Sequence, residues 1–228
     1  METPISTTTV AFPVDSEHGA LRSAIFGLFF VIWVVGYLVV SALIPTEGLN
    51  IIAGIAGFGL AAVLVSLVIE PHLRKRWPSG RVLQMDDQQI RLLKREQTQK
   101  AINAQEPMSI LLWNFKIKQR RNRVPSGWFV MACALEQDDN YLPVYTLASP
   151  EQAEMLNAIA RFSTLISDKE NKAKNVRQDT LRVAGEQRRL RLAETFRWTE
   201  GAELAYSDFE QFLTRLNNQF PQWMPFNR

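Results

Sequence analysis

Apolar positions along this chain fall first into two continuous runs, residues 23–44 and 51–69, and thereafter into short alternating stretches separated by polar turns. Each run has about the twenty residues that cross roughly 30 Å of hydrocarbon at 1.5 Å per residue. Neither contains Asp, Glu, Lys, Arg or His, which argues against an ion path or proton relay within the spans. A two-span membrane hairpin followed by a soluble body is therefore expected, with residues 1–20 as an N-terminal segment, 21–71 as the hairpin, 72–167 as a folded domain and 168–228 as an appendage. Arg74, Lys75 and Arg76 follow the second run at once, whereas residues 45–50 between the runs carry no basic side chain. Basic residues near a span stay on the cytoplasmic side, so both termini are expected in the cytoplasm. A cleaved secretion signal is the competing reading, but the first apolar core is too long, its leading segment is hardly basic and a second span follows directly. Ala53, Gly57 and Ala61 recur every four residues, the small-residue spacing that lets helix backbones approach in lipid. That stripe suits pairing of the two spans with each other, or oligomerisation.

Beyond Trp77-Pro78-Ser79-Gly80 the period changes to that of strands. Residues 82–85 and 89–94 flank a turn at Asp86-Asp87-Gln88, and a short third strand is expected at 100–103. Leu111, Trp113, Phe115 and Ile117 alternate with Leu112, Asn114, Lys116 and Lys118, which predicts a strand with one buried face. Residues 127–135 and 141–147 form the next pair around Asp138-Asp139-Asn140, completing an antiparallel meander. Ser149, Pro150 and Gln152 supply an N-cap, a proline at the first helical position and a capping box. The helix they open is expected to bury Met155, Leu156, Ile159, Phe162 and Ile166.

Short antiparallel strands closed by one amphipathic helix, directly behind a two-span hairpin, resemble the bacterial pleckstrin-homology-like membrane proteins. The resemblance covers residues 73–165 and is carried by Trp77-Pro78-Ser79-Gly80-Arg81, residues 110–117, and Thr146-Leu147-Ala148-Ser149-Pro150. It implies an α+β membrane protein of the bacterial inner membrane, with an antiparallel β-barrel or sandwich capped by a helix. It also implies a role in binding, assembly or membrane organisation, and no catalytic residues. Eukaryotic relatives often bind phosphoinositides through a basic early loop, whereas this chain places Asp86 and Asp87 there.

Composition narrows the chemistry. The net charge of +3 is small, and its basic excess sits beside the spans and in one cluster, Lys116, Lys118, Arg120, Arg121 and Arg123. With Arg74, Lys75 and Arg76 this cluster is a candidate lipid-facing set, each charge worth about 1 kcal/mol at an anionic leaflet; the bland reading is a solvated hairpin tip. Aromatics are not interleaved among these charges, which disfavours nucleic acid. A lone Cys133 in an apolar strand cannot form an internal disulfide and suits a reducing compartment. With only His18 and His72 besides, no metal-ligand spacing is present, and no cofactor is expected. Carboxylates are scattered over turns, and neither a phosphate loop nor a nucleophile elbow occurs, so an enzyme is the weakest reading.

The tail reads as a polar linker at residues 167–174, then a segment, 180–196, open between an arginine-rich helix and a hairpin around Gly185-Glu186, with propensity favouring helix. Ser207 and Glu210 suggest a capped helix whose Phe209, Phe212, Leu213, Leu216 and Phe220 share a face until Pro221. With Trp223, that face is a candidate for docking on protein: this chain's own sheet, an external partner or a second copy. The expected function is a non-enzymatic membrane protein displaying a module for assembly or membrane organisation. Anionic-lipid sensing or transport support is the alternative, and no small-molecule substrate is identified.

Overall fold

The computed structural model describes residues 9–15, 19–44, 50–118, 124–166 and 180–225, with only the backbone described at 74, 75 and 180–183. The expected connecting turn at 45–49, the polar linker, and Arg120, Arg121 and Arg123 lie outside the described residues. Contacts group the chain into one compact unit of Met1–Val14 with Gly80–Arg228 and a second of Asp15–Ser79. Val10–Val14 and the described tail group with the sheets.

The second unit contains α1 (Gly19–Leu43) and α2 (Ile51–Leu64), the latter continued by a π-helical turn, Val65–Ile69, into α3 (Glu70–Arg76). The spans Ala20–Leu43 and Ile51–Leu73 are long and apolar enough to cross a membrane. Only 6% and 22% of their most apolar windows are buried within the protein, so their apolar side chains mainly face outward. Asn50 caps α2 by accepting a hydrogen bond from Ala53 N at 3.0 Å. The π turn sits just before Pro71, which has no N–H to donate: Glu70 N–H reaches five residues back to Val65 O, and the helix carries on without a break. Ala53, Gly57 and Ala61 are buried against α1. A Cβ at Gly57 would lie 2.8 Å from Tyr37 N and 3.1 Å from Gly36 C. Trp33 Nε1 donates to Gly54 O at 3.0 Å in the same contact. The small-residue stripe therefore pairs the two spans, and its close approach is already taken by α1 rather than left for a second copy.

In the first unit, β1 (Val10–Val14), β2 (Arg81–Met85), β3 (Gln89–Lys94) and β4 (Gln97–Asn103) form an antiparallel sheet in that order. The strand β1 was not anticipated. It precedes both spans, yet pairs with β2, which follows them, from Val10↔Met85 to Val14↔Arg81. Asp86 Oδ1 accepts from the backbone N–H of Gln88 and Gln89, the side-chain turn its sequence predicts.

The second sheet is built on β5 (Ser109–Lys116), β6 (Phe129–Gln137) and β7 (Asn140–Ala148), with two-residue parallel additions β8 (Ser163–Thr164) beside β5 and β9 (Ala202–Glu203) beside β7. It is thus mixed rather than purely antiparallel. Among the described residues no ladder joins the sheets. They meet where Gln137 and Asn140 side chains hydrogen-bond the backbone of Asn103 and Ala101 on β4. The architecture is a two-sheet α+β body.

Helix α4 (Pro150–Ile159) begins with the expected capping box of Ser149 and Gln152, but stops at Ala160, whose backbone is extended. Phe162 and Ile166 therefore lie beyond it, and β8 takes up pairing with β5 instead. Its buried residues are Ala153 and Leu156; Met155, expected to be buried, is exposed.

The tail folds as α5 (Thr180–Glu200) and α6 (Tyr206–Gln219), so helix rather than hairpin prevails at 180–196. Ser207 does not cap α6: the N-cap is Ala205, and Ser207 lies in the first turn. The apolar face of α6 enters the inter-sheet core, where Phe212 meets Phe12 edge-on at 6.1 Å between ring centroids. Helix α5 covers the outer face of the second sheet, packing Leu190 and Ala193 on Trp113, Ala132 and Ala134. Gln187 staples it to β8, donating to Thr164 O and accepting from Ile166 N, each at 3.0 Å. As a result β5 has two buried faces: Ile110 and Leu112 face the inter-sheet core, and Trp113 faces α5. The single buried face expected for this strand is corrected accordingly.

Candidate functional site

Phe115, Val130 and Leu147 lie in one row across β5, β6 and β7, as the pairings Phe115↔Val130 and Val130↔Leu147 require. All three belong to the outer face on which α5 packs, and they floor a groove of about 440 Å³. Ile117 and Val124 extend the apolar lining, while Trp198 on the last turn of α5 is 71% exposed at the rim. The volume falls within the roughly 300–1,000 Å³ of small-ligand sites.

The polar parts are arranged by the same elements. Arg197 is 8% exposed: its guanidinium lies 4.7 Å from the Tyr145 ring centroid and 5.7 Å from that of Phe115. Its Nε and Nη2 donate to the two carboxylate oxygens of Glu194 at 2.7 and 2.6 Å. Trp113 Nε1 donates to Glu194 Oε2 at 3.0 Å, so the ion pair is fixed by a buried indole and held against two rings. Tyr145 OH donates to Glu203 Oε2 at 3.0 Å. Lys116 and Lys118 line the β5 side of the groove, and both are exposed. Three strand spacings separate β5 from β9, placing these lysines about 14 Å from Glu203 along the hydrogen-bonding direction. The groove is thus basic at one end, apolar along its floor and acidic at the other.

Gly201 fixes how α5 gives way to β9. A Cβ there would lie 2.3 Å from Arg197 O, a contact no other residue type escapes. Arg81 holds the same helix end by donating to Glu200 O at 3.1 Å and Gly201 O at 3.3 Å. Lys100, beside it, pairs with Glu200 and donates to Tyr141 O at 2.6 Å.

Of the sequence-predicted lipid-facing residues, Lys116 and Lys118 meet at the groove. Arg76 is exposed at the end of α3 in the other unit, and Arg74 and Lys75 are described as backbone only. Phe209, Phe212, Leu213 and Leu216 are fully buried, Phe220 is 6% exposed, and Trp223 packs on the same core. Of the three alternatives for this face, the chain's own sheets take it: the apolar stripe of α6 packs into the inter-sheet core. Sequence reading missed Tyr145, Arg197, Trp198 and Glu203. The spacing of Glu194 and Arg197 at i,i+3 was the available signal, but it reads equally as a surface ion pair.

Cys133, Tyr141 and Glu136, whose ionisation is shifted, do not line the groove. Burial pushes the Cys133 thiol well up. Tyr141, hydrogen-bonded to Glu136 at 2.6 Å, is pushed up to about 12 by that bond first and by burial second. Burial alone would raise Glu136, but hydrogen bonds from Tyr141 and Arg189 outweigh it and bring the carboxyl below its usual range. Among the described residues no cluster of three or more His, Cys, Asp or Glu is placed to hold a metal ion. No family model matches the chain, and no curated protein or solved structure matches it either. The class that fold and geometry define is a two-helix apolar hairpin joined to a two-sheet α+β body.

Proposed function

We propose that the protein is a non-enzymatic bacterial inner-membrane protein whose hairpin anchors a cytoplasmic, pleckstrin-homology-like module for assembly or membrane organisation. One observation carries the reading: the hairpin is inserted between β1 and β2, two directly paired strands of one sheet. Strands that share a ladder lie on the same side of a membrane, so the chain between them crosses an even number of times, matching two spans. A secretory cleavage after α1 would remove Phe12 and Val14 from the core, which weighs against that competing reading. The outward apolar faces of both spans support membrane insertion rather than burial in a soluble core. The succession from β2 to β7 closed by α4 supports the pleckstrin-homology-like part.

The test uses single cysteines in a Cys133→Ala background. Thr46→Cys should react with an impermeant maleimide on intact cells, whereas Thr9→Cys should react only after permeabilisation. Labelling of both positions from the same side would sink the proposal. The groove favours a second reading, anionic-lipid sensing, because it joins two lysines to an apolar floor.

A further inference from the structure

We propose that the outward face of α5 lies on an anionic membrane leaflet, with Trp198 and Leu192 at the headgroup level and Arg188 on lipid phosphates. The inference goes beyond the membrane anchorage proposed above and rests on it. At about 100° per residue, Arg188, Leu192, Thr195 and Trp198 share an arc of about 120°. All four are exposed, whereas Leu190, Ala193 and Arg197 on the inward side are buried. Trp198, at 71%, and Leu192, at 48%, are the large apolar side chains that the described part of the helix leaves in solvent. The acids of α5 are Glu186, Glu194 and Glu200, and each is engaged off this arc. Glu186 accepts from Ser163 Oγ at 2.7 Å, Glu194 takes the Arg197 guanidinium and the Trp113 indole, and Glu200 pairs with Lys100. The outward arc is therefore free of acid.

The attachment of this helix decides what covers the arc. Arg81 ties the last turn of α5 to the start of β2 through its bonds to Glu200 O and Gly201 O, and it stands opposite Val14 at the end of β1. From that end of the sheet the chain takes six residues from Val14 to Ala20 and eight between Leu73 and Arg81, where Ala20 and Leu73 are the limits of the two apolar helices. At no more than about 3.6 Å per residue, neither connection spans more than about 30 Å. The end of α5 that carries Trp198 is thus tethered close to any bilayer that holds the helices. Its side chains suit that surface. The indole is an apolar ring with one N–H donor, the form that settles between headgroups and acyl chains, and Leu192 adds aliphatic area. Arg188 offers a planar guanidinium to phosphate, and its charge favours an anionic leaflet over a zwitterionic one. A protein partner would have to be recruited to the arc, whereas the hairpin supplies the bilayer from within the same molecule.

The experiment uses the full chain, one per nanodisc, with bimane on a single cysteine in a Cys133→Ala background and a nitroxide carried on lipid headgroups. Bimane at Thr195→Cys should be quenched in discs containing phosphatidylglycerol. Bimane at Gln88→Cys, on the exposed turn at the opposite end of the first sheet from Arg81, should not. Trp198→Ala should relieve quenching at Thr195→Cys while leaving the unfolding midpoint unchanged, as the exposure of the indole requires. Arg188→Gln should lower the ratio of docked to undocked body about fivefold with phosphatidylglycerol and leave it unchanged in phosphatidylcholine alone. No quenching at Thr195→Cys, the result a protein partner on the arc would give, or equal quenching at Gln88→Cys would overturn the face. Quenching indifferent to Trp198→Ala would overturn the anchor, and an equal effect of Arg188→Gln in both lipids would overturn the anionic assignment. Because impermeant labelling of Thr46→Cys and Thr9→Cys reports anchorage without involving α5, a failed face is distinguishable from a failed membrane anchor.

Discussion

Phe12→Ala is the most exacting perturbation of this fold, because it removes a side chain that precedes both spans and yet is only 2% exposed in the core of the body beyond them. Phe12 stands opposite Leu83 in the β1–β2 ladder and meets Phe212 of α6 edge-on, with ring planes at 83°. Truncating a buried Phe to Ala costs about 3–5 kcal/mol, of which the edge-to-face pair supplies about 0.5–1.5 kcal/mol. For a domain of this size each kcal/mol moves the midpoint by about 2–4 °C, so Tm should fall by about 6–20 °C. The assay is thermal unfolding of the full chain in nanodiscs, followed by near-ultraviolet circular dichroism. Ala11→Ser, at the adjoining exposed position, should change stability by less than about 0.5 kcal/mol. Combining Phe12→Ala with Phe212→Ala should cost less than the sum of the two singles, since the rings share one contact. Indistinguishable midpoints for Phe12→Ala and Ala11→Ser would refute the placement of β1 in the core.

Gly57→Leu should disrupt packing of α1 on α2, because its Cβ meets backbone at 2.8 Å, whereas Gly54→Ala and Gly59→Ala, with nothing within 4 Å, should be neutral; cross-linking of cysteines on the two spans reads the difference. Trp113→Ala should cost about 3–5 kcal/mol, as burial and the bond to Glu194 require, and Lys116→Ala less than about 0.5 kcal/mol, both by thermal unfolding. In an ultraviolet titration one tyrosine, Tyr141, should ionise at about 12 and return toward about 10 in Glu136→Gln. With its folded pKa raised, the stability Tyr141 contributes is present below pH 10 and lost as pH rises toward 12. Glu136, lowered, contributes in the opposite sense: its stability is present above the ordinary carboxylate range and is lost on acidification.

The strands from β2 to β7 were legible because alternation and Asx turns are local signals. Gln89–Lys94 emerges with its predicted bounds, and Ser149 opens α4 as its capping box requires. What escaped was set by distant partners. Val10–Val14 contains Pro13 and stands before a long apolar helix, so nothing near it announces a partner at Arg81–Met85. The second buried face of β5 depends on α5, whose inward residues include Gln187 and Arg197, polar side chains that a hydrophobic pattern assigns to solvent. Phe162 and Ile166 prolong the helical period past Ala160, but parallel pairing of Ser163 and Thr164 with β5 overrides it. The groove shares this origin: Lys116 and Lys118 were visible, while Arg197, Trp198 and Glu203 reach it only through tertiary packing.

The interrupted β1–β2 pairing also sets a clock on synthesis. Sixty-six residues separate Val14 from Arg81, so at about 5–20 residues per second the ribosome makes β2 about 3–13 s after β1. Through that interval the partner of β1 is unmade, and on the topology proposed above both apolar helices would enter the bilayer before the ladder closes. On the same topology, a chain that inserted only one of them would leave β1 and β2 on opposite faces, with Leu83 and Phe212 lacking their contact with Phe12. On that topology, closure of the β1–β2 ladder would itself report that both helices had been inserted.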